Sequence, residues 1–540
     1  MIPDDVTVLG DVVNAEPIVV GPPKLSYLDA GYTAYKNGLA KSRQKVAYQA
    51  ANDGMLHAFD AGTLIDQPKG LYSAGTGAEL WAYVPSFGFQ ARQTGKAGLR
   101  TLADKEFFIH QFFVDGTPVS ADVDLDKAAS ATGSGSPNWA TIVVGGLGKG
   151  GRGWYALNVT DPTALSDADL ASKKVMWEFP NTATASPNIG YSVSRPIVVK
   201  TRARGWVVAV TSGYENGSET GGDGRGHLFI LNPATGAVIA DLTTIDAEDG
   251  AGTAALRQAN PRGLAYTSAY VENGESDATV EAIYGGDLYG NVWKFDLSGA
   301  TQADWNVKRL ATLTDGSGNR QPITSEPELA LVGSHRVIYV GTGRYLGDKD
   351  LPGEPGAFVS ATGTQTIYAL KDDLTATPTI TGGRSDLFQR TVTKDLAAGT
   401  ATVTPDPLAT IANIFGSTKK GWFADLPETG ERVITNPQLG LGVLTVTSNI
   451  PDGTDPCIPG GRSWAYFLDY RTGGVIPGAT LAGGFLGAAL ASRAVLIKLP
   501  NGKMRALIRL TDATTESLEL PTPASALAGK RKSWREIIVQ

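Results

Sequence analysis

A single cysteine, Cys457, stands in 540 residues, which excludes any disulfide within the chain; its expected place is a small, half-buried position beside a loop. Histidine is nearly as scarce. His57, His110, His227 and His335 stand singly, with none of the His-Glu-x-x-His or Cys-x-x-Cys spacings that hold zinc. No Gly-x-Ser-x-Gly elbow offers an acyl-transfer serine. Basic charge is not in excess: 47 Lys and Arg against 54 Asp and Glu leave −7, which argues against nucleic acid as a partner, because phosphate binding wants a basic stripe. Lys530-Arg531-Lys532 is a lone basic cluster and reads as a solvated tail. Apolar runs are short. Phe485 to Leu499 is interrupted by Ser492, Arg493 and Lys498 and falls below the roughly 18 apolar residues of a membrane helix, so no transmembrane segment is expected. Met1-Ile2-Pro3-Asp4-Asp5 has neither the basic start nor the apolar run of a secretory signal, a lack that a fragment of a longer secreted precursor would share.

What the chain has is repetition. Val46 to Asp60 carries an apolar strand, the turn Asn52-Asp53-Gly54 and a second alternating strand, and Thr76-Gly77 then leads into Glu79-Leu80-Trp81. Such a unit is one blade of a β-propeller. Copies follow at Trp154–Asn158 with Val175–Phe179, at Gly226–Asn232 with the turn Ala234-Thr235-Gly236, and at Ala282–Asp296. Weaker ones lie at Val337–Gly343 with Thr366–Leu370, and at Leu444–Thr447 with Trp464–Asp469. Ala494–Lys498 and Met504–Ile508, paired across Pro500-Asn501-Gly502, supply a seventh. The period exceeds the roughly 40–45 residues of a WD40 array, so long inserts are expected, for example Asp104–Gly135 and Pro352–Thr364. Strands marked by Pro17, Pro118, Pro196, Pro327 and Pro437 open the units, where a missing N–H costs nothing. With 42% hydrophobic residues, 66 Gly and 30 Pro, residues 1–540 read as one all-β domain, a seven-bladed modified propeller with quinoprotein-like repeats and few helices, such as Leu165–Lys174.

No catalytic constellation emerges, and the chain is not read as an enzyme. His57 and His227 fall at comparable strand positions and read as blade positions rather than metal ligands. Trp81, Trp177, Trp293 and Trp464 recur with the repeat and read as packing between sheets. Gly145-Gly146-Leu147-Gly148-Lys149-Gly150-Gly151 lacks the Gly-Lys-Ser/Thr order of a phosphate loop and leads into a strand. The candidate for bound chemistry is the loop 273–281. Asn273, Glu275, Asp277 and Glu281 place side-chain oxygens at positions 1, 3, 5 and 9 of a calcium-type loop, and Thr279 offers its carbonyl at position 7. Ala278 stands where such loops prefer glycine, and Tyr284 where they place a bidentate glutamate. Asp348 and Asp350, separated by Lys349, read as a solvated turn.

With these residues on the page, the chain resembles the C-terminal propeller of the PilY family of type IV pilus tip and assembly proteins. The resemblance rests on Leu9–Pro17, Ala51–Asp60, Tyr284–Asp296, Gly421-Trp422-Phe423, Gly430-Glu431-Arg432-Val433, Asp455-Pro456-Cys457, Gly460–Trp464 and Ser533-Trp534-Arg535-Glu536, in that order. It implies a propeller at the cell surface or pilus tip, acting in pilus extension, twitching motility and adhesion. Its implied partners are minor pilins, the pilus machinery and a host or abiotic surface. It also implies one calcium ion at Asn273, Glu275, Asp277, Thr279 and Glu281. Two departures stand out: no N-terminal region of the family precedes Leu9, so the chain reads as part of a longer precursor, and the Arg-Gly-Asp tripeptide of some members is missing. The rival reading is a pyrroloquinoline-quinone dehydrogenase, whose propellers share the Asn-Asp-Gly and Thr-Gly-x-x-x-Trp elements. Such enzymes commonly carry a vicinal disulfide, which one cysteine cannot make.

Overall fold

The computed structural model describes residues 9–66, 69–89, 91–93, 96–103, 110–163, 166–181, 186–245, 253–374, 380–452 and 460–521. The fold is all-β, with seven successive sheets of three or more strands among the described residues. The first four are antiparallel meanders of four strands. Sheet one runs Ile18–Val20, Lys45–Ala50, Leu56–Gly62, Glu79–Tyr83; sheet two Val119–Asp124, Trp139–Gly146, Trp154–Asn158, Val175–Phe179. Sheet three runs Ile197–Thr201, Gly205–Thr211, His227–Leu231, Val238–Thr243; sheet four Thr267–Val271, Val280–Gly286, Asn291–Asp296, Asn306–Thr312. Four of the five proline-marked segments lead into the first strand of a sheet, and Pro437 leads into Gln438–Gly440, an edge strand of sheet six.

Each strand feeds two interfaces because its side chains alternate between faces. In Trp139–Gly146, Ile142 and Val144 pack toward sheet three while Val143 packs toward sheet one. In Gly205–Thr211, Val208 and Val210 face sheet two while Val207 and Ala209 face sheet four. Six apolar clusters result, one between each consecutive pair of sheets. Burial on both faces explains why the inner strands read as nearly unbroken apolar runs.

Sheets five and six depart from the simple unit. Sheet five runs Glu328–Val332, His335–Gly341, Thr366–Asp372 and Gly421–Asp425, with Phe388–Arg390 added in parallel on Gly421–Asp425. Its insert then continues as the hairpin Val392–Asp395 and Thr400–Val403, which joins the edge of sheet six through Ala401 opposite Gly483. Sheet six thereby reaches six strands, including the long pair Val443–Asp452 and Gly460–Asp469. Sheet seven comprises Val495–Lys498, Met504–Arg509 and Thr515–Glu519. The helix expected at Leu165–Lys174 is observed as Asp167–Lys173, capped by the Ser166 hydroxyl on the Asp169 amide. Among the described residues no helix is long and apolar enough to cross a membrane.

Candidate functional site

The loop 273–279 lies between the first two strands of sheet four. Its backbone curls on itself, with the Asn273 carbonyl accepting from the Ser276 and Asp277 amides. Other carbonyls face neighbouring segments: Glu275 accepts from the Ser26 amide, Ser276 from the Leu28 amide, and Ala278 from the Lys200 amide. Ala278 is fully buried in the cluster between sheets two and three, so the residue at the glycine position serves packing instead.

The side chains singled out in the sequence go separate ways. Asn273 and Glu275 are exposed. Asp277 Oδ1 accepts from the Thr279 amide and hydroxyl, at 3.0 and 2.6 Å, and from Lys200 Nζ at 2.9 Å. Burial works to raise the Asp277 pKa, but Thr279 and the Lys200 ammonium outweigh it and hold the carboxyl below its ordinary value. Glu281 turns to the other side and pairs with Arg336, with Arg202 at 3.7 Å. Asp277 and Thr279 are thus brought together, whereas Glu281 is drawn away and Asn273 and Glu275 stay in solvent. As arranged, the five residues do not make the shell of six to eight oxygens that calcium takes. No cluster of three or more acidic, His or Cys side chains able to hold a metal is found among the described residues.

A second grouping was not foreseen. The residue ahead of each strand-opening proline is bonded to its counterpart in another sheet. The Glu16 amide donates to Thr117 Oγ1 at 3.0 Å, and its carboxylate accepts from Arg195 and, at 2.9 and 2.6 Å, from Arg493 Nε and Nη2. Glu326 and Asn436 exchange two hydrogen bonds, of 2.9 and 3.2 Å, and the Ser268 hydroxyl donates to Glu326 at 3.1 Å. The Glu16 carboxylate therefore ties sheets one, three and seven across 477 residues of chain. Burial pushes its pKa up, yet the two guanidiniums bring it down to about 2. The sequence signal lies in the X-Pro dipeptides, in the residue ahead of each proline. Because the Glu16 side chain keeps 42% exposure, screening limits its worth. Glu16→Gln is expected to cost about 1 kcal/mol. Urea unfolding at low and high salt checks this, since the wild-type advantage over the variant should shrink in 1 M salt.

His57 and His227 occupy matching positions at the start of third strands, and each sits between two carboxylates. His57 bonds Asp53 through Nε2 at 2.9 Å and Glu79 through Nδ1 at 2.6 Å; His227 bonds Asp223 at 3.0 Å and Asp241 at 2.8 Å. Each ring stacks on the phenylalanine two residues on, Phe59 or Phe229. With both nitrogens committed, neither ring has a lone pair for a metal. Sheet four repeats the device with Asn291, whose Nδ2 donates to Asp287 at 2.9 Å, and Trp293, whose Nε1 donates to the same carboxylate at 2.8 Å. The spacing Asp-x-x-x-His/Asn-x-aromatic was legible in the sequence.

Trp81, Trp177, Trp293 and Trp464 are all buried, at 7, 6, 0 and 2% exposure. Trp177 of sheet two donates to the Pro233 carbonyl of sheet three, and its indole lies under Gly236 of the Thr-Gly turn, which leaves no room for a Cβ there. The glycine run after Gly146 forms a short turn at Gly148–Gly150 that leads to the strand Trp154–Asn158. One reading needs correction: Asp350 is not in a solvated turn but 1% exposed. Its carboxylate accepts from the Leu346 amide at 2.8 Å and pairs with Arg344 at 3.0 Å, while its carbonyl receives Arg432 Nη1. The neighbouring lysine hid this, because Lys349 takes no part in holding it. Cys457, Lys530–Lys532 and Ser533–Glu536 lie outside the described residues.

Comparison with known proteins places this geometry. A type IV pilus biogenesis factor PilY1 homolog of Xylella fastidiosa is 30% identical over 507 residues, spanning 87% of this chain and 30% of its own length. The type IV pilus biogenesis factor PilY1 of Pseudomonas aeruginosa is 29% identical over 515 residues, again 87% of this chain, and 39% of its own. The chain therefore spans roughly a third of the length of these relatives. The crystal structure of the P. aeruginosa PilY1 C-terminal domain superposes with a TM-score of 0.63 at 23% identity, over 93% of this chain and 99% of that one, which shows a shared fold. The family model for the PilY1 beta-propeller domain matches residues 9–403, and the chain belongs to that family.

Proposed function

We propose that this chain is the interaction propeller of a type IV pilus biogenesis factor, working at the cell surface and not as an enzyme. The observation that carries this is the family match over residues 9–403. The seven sheets are read as seven blades of one ring, with Glu16, Arg195 and Arg493 as a tie between its ends. Six apolar interfaces between sheets make a stiff scaffold, and binding on such a scaffold lives in its loops.

The insert after sheet five's second strand shows how a loop is braced for this. Arg432 is 1% exposed and spends its guanidinium on four backbone carbonyls, those of Gly430, Arg344, Asp350 and Ala361. Arg344 stacks over Phe358 at 4.1 Å. Phe358 and Val359 are nonetheless 38 and 65% exposed, an apolar tip on a fixed base. We read this tip as a contact for minor pilins or for a host or abiotic surface during adhesion and twitching. The burial of Trp81, Trp177, Trp293 and Trp464 supports reading them as packing between sheets rather than as the lining of a quinone site.

The test is exchange of this chain for the matching segment of the P. aeruginosa relative, in a strain lacking that protein. Restored surface pili support the proposal. Normal export of the chimaera without pili sinks it. Phe358→Ser with Val359→Ser in the same chimaera should leave export unchanged and reduce attachment or pilin capture if the tip is a contact.

A further inference from the structure

We propose that Lys200 is the resident cation of the 273–281 loop, an ammonium from sheet three that fills the charge role a divalent ion would otherwise take. The proposal is independent of the pilus reading, since it rests on the chain's own contacts. Lys200 is the penultimate residue of the sheet-three strand Ile197–Thr201 and is 14% exposed at its side chain. Its Nζ has three acceptors, Asp29 Oδ1 and Oδ2 at 2.8 Å each and Asp277 Oδ1 at 2.9 Å. An ammonium carries three N–H donors, so the head group is saturated by these three oxygens.

The ligand count suits an ammonium better than calcium. The three oxygens lie at ordinary hydrogen-bond distance from Nζ and come from only two carboxylates, whereas calcium wants at least six oxygens. Three carbonyls of the loop are also engaged. Those of Glu275, Ser276 and Ala278 accept from Ser26, Leu28 and Lys200 itself. Charge is balanced locally: Asp29 and Asp277 face Lys200, and Glu281 faces Arg336 and Arg202. The lysine thus joins the segment bearing Asp29, sheet three and the sheet-four loop into one ordered unit without a metal. A loop built this way is fixed at all calcium concentrations and cannot report on them.

The test uses the whole chain in EGTA and in calcium chloride at millimolar concentration. Calorimetric titration of the wild type with calcium should give no saturable heat, and hydrogen exchange of residues 272–281 should be the same in both buffers. Lys200→Gln removes the charge and leaves Asp29 and Asp277 facing each other. Its loop should exchange about tenfold faster in EGTA and recover in calcium. Three results overturn the proposal: one-site calcium binding by the wild type that Asp277→Asn abolishes, unchanged loop exchange in Lys200→Gln, or a faster-exchanging Lys200→Gln loop that calcium does not slow. Should Lys200→Gln fail to fold, Asp29→Asn breaks the same tie from its partner's side, with the same expected loss of protection, and the wild-type titration decides by itself.

Discussion

Alanine at position 431 is expected to destabilise the protein by about 3–5 kcal/mol, the range found when one partner of a buried ion pair is removed. Glu431 has no exposed surface, and four donors converge on it: the Ser448 hydroxyl at 2.6 Å, the Tyr466 hydroxyl at 2.7 Å, Lys394 Nζ at 2.8 Å and the Glu428 amide at 3.2 Å. Lys394 belongs to the inserted hairpin and sits 4.0 Å above the Trp464 ring, with Glu428 as its second acceptor at 2.7 Å. The pair is therefore a peg that holds the insert of sheet five against the face of sheet six. Removing Glu431 takes the acceptor from the buried Ser448 and Tyr466 hydroxyls and leaves the Lys394 ammonium with Glu428 alone. Ser448→Ala removes a single donor and should cost only about 1 kcal/mol, which separates the charge effect from the loss of one hydrogen bond. Urea unfolding gives both numbers, and hydrogen exchange should show the hairpin 392–403 opening ahead of the rest in Glu431→Ala. A cost below that of Ser448→Ala would mean that the peg does not hold the insert.

This peg shows where the sequence could and could not be read. Gly430-Glu431-Arg432-Val433 was noticeable as a motif, but its physics is in four carbonyls from residues 344 to 430 and in a lysine 37 residues upstream. Nothing local announces such contacts. The strands themselves were legible where a turn such as Asn52-Asp53-Gly54 separates two apolar runs. The crossing of the Val392–Val403 hairpin into sheet six was not, because its partner Gly483 lies about eighty residues on. Thr515–Glu519 also escaped, since Thr-Glu-Ser-Leu-Glu shows only one apolar residue and no turn of its own. For the candidate loop, the oxygen spacing was visible in one stretch of sequence. Lys200 and Arg336, which engage Asp277 and Glu281, come from two other sheets.

A loss of stability between pH 6.5 and 9 is expected from His227. Its ring is 2% exposed, which by itself disfavours the charged form, but the hydrogen bonds its two nitrogens donate to Asp223 and Asp241 outweigh burial and raise its pKa from 6.5 to about 9. The groups facing it are these two aspartates, the Thr243 hydroxyl at 3.3 Å from Nδ1, and Arg225, whose Nε lies 3.8 Å from Asp223. A raised folded-state pKa contributes stability that is complete below 6.5, where both states are protonated, and vanishes as pH passes 9, where both are neutral. The amount is about 3 kcal/mol. His57, held between Asp53 and Glu79 and shifted in the same direction, adds to the slope. The chain itself supplies the control. Sheet four carries Asn291 at the equivalent position, bonded to Asp287 with no imidazole to titrate, so His227→Asn keeps one hydrogen bond to Asp223 and removes the ring's protonation. Urea midpoints measured every half unit from pH 6 to 10 should fall more steeply in the wild type than in His227→Asn, and the two curves should converge near pH 10. Parallel curves would show that the His227 proton contributes nothing to folding and that its two aspartates serve only to orient the ring on Phe229.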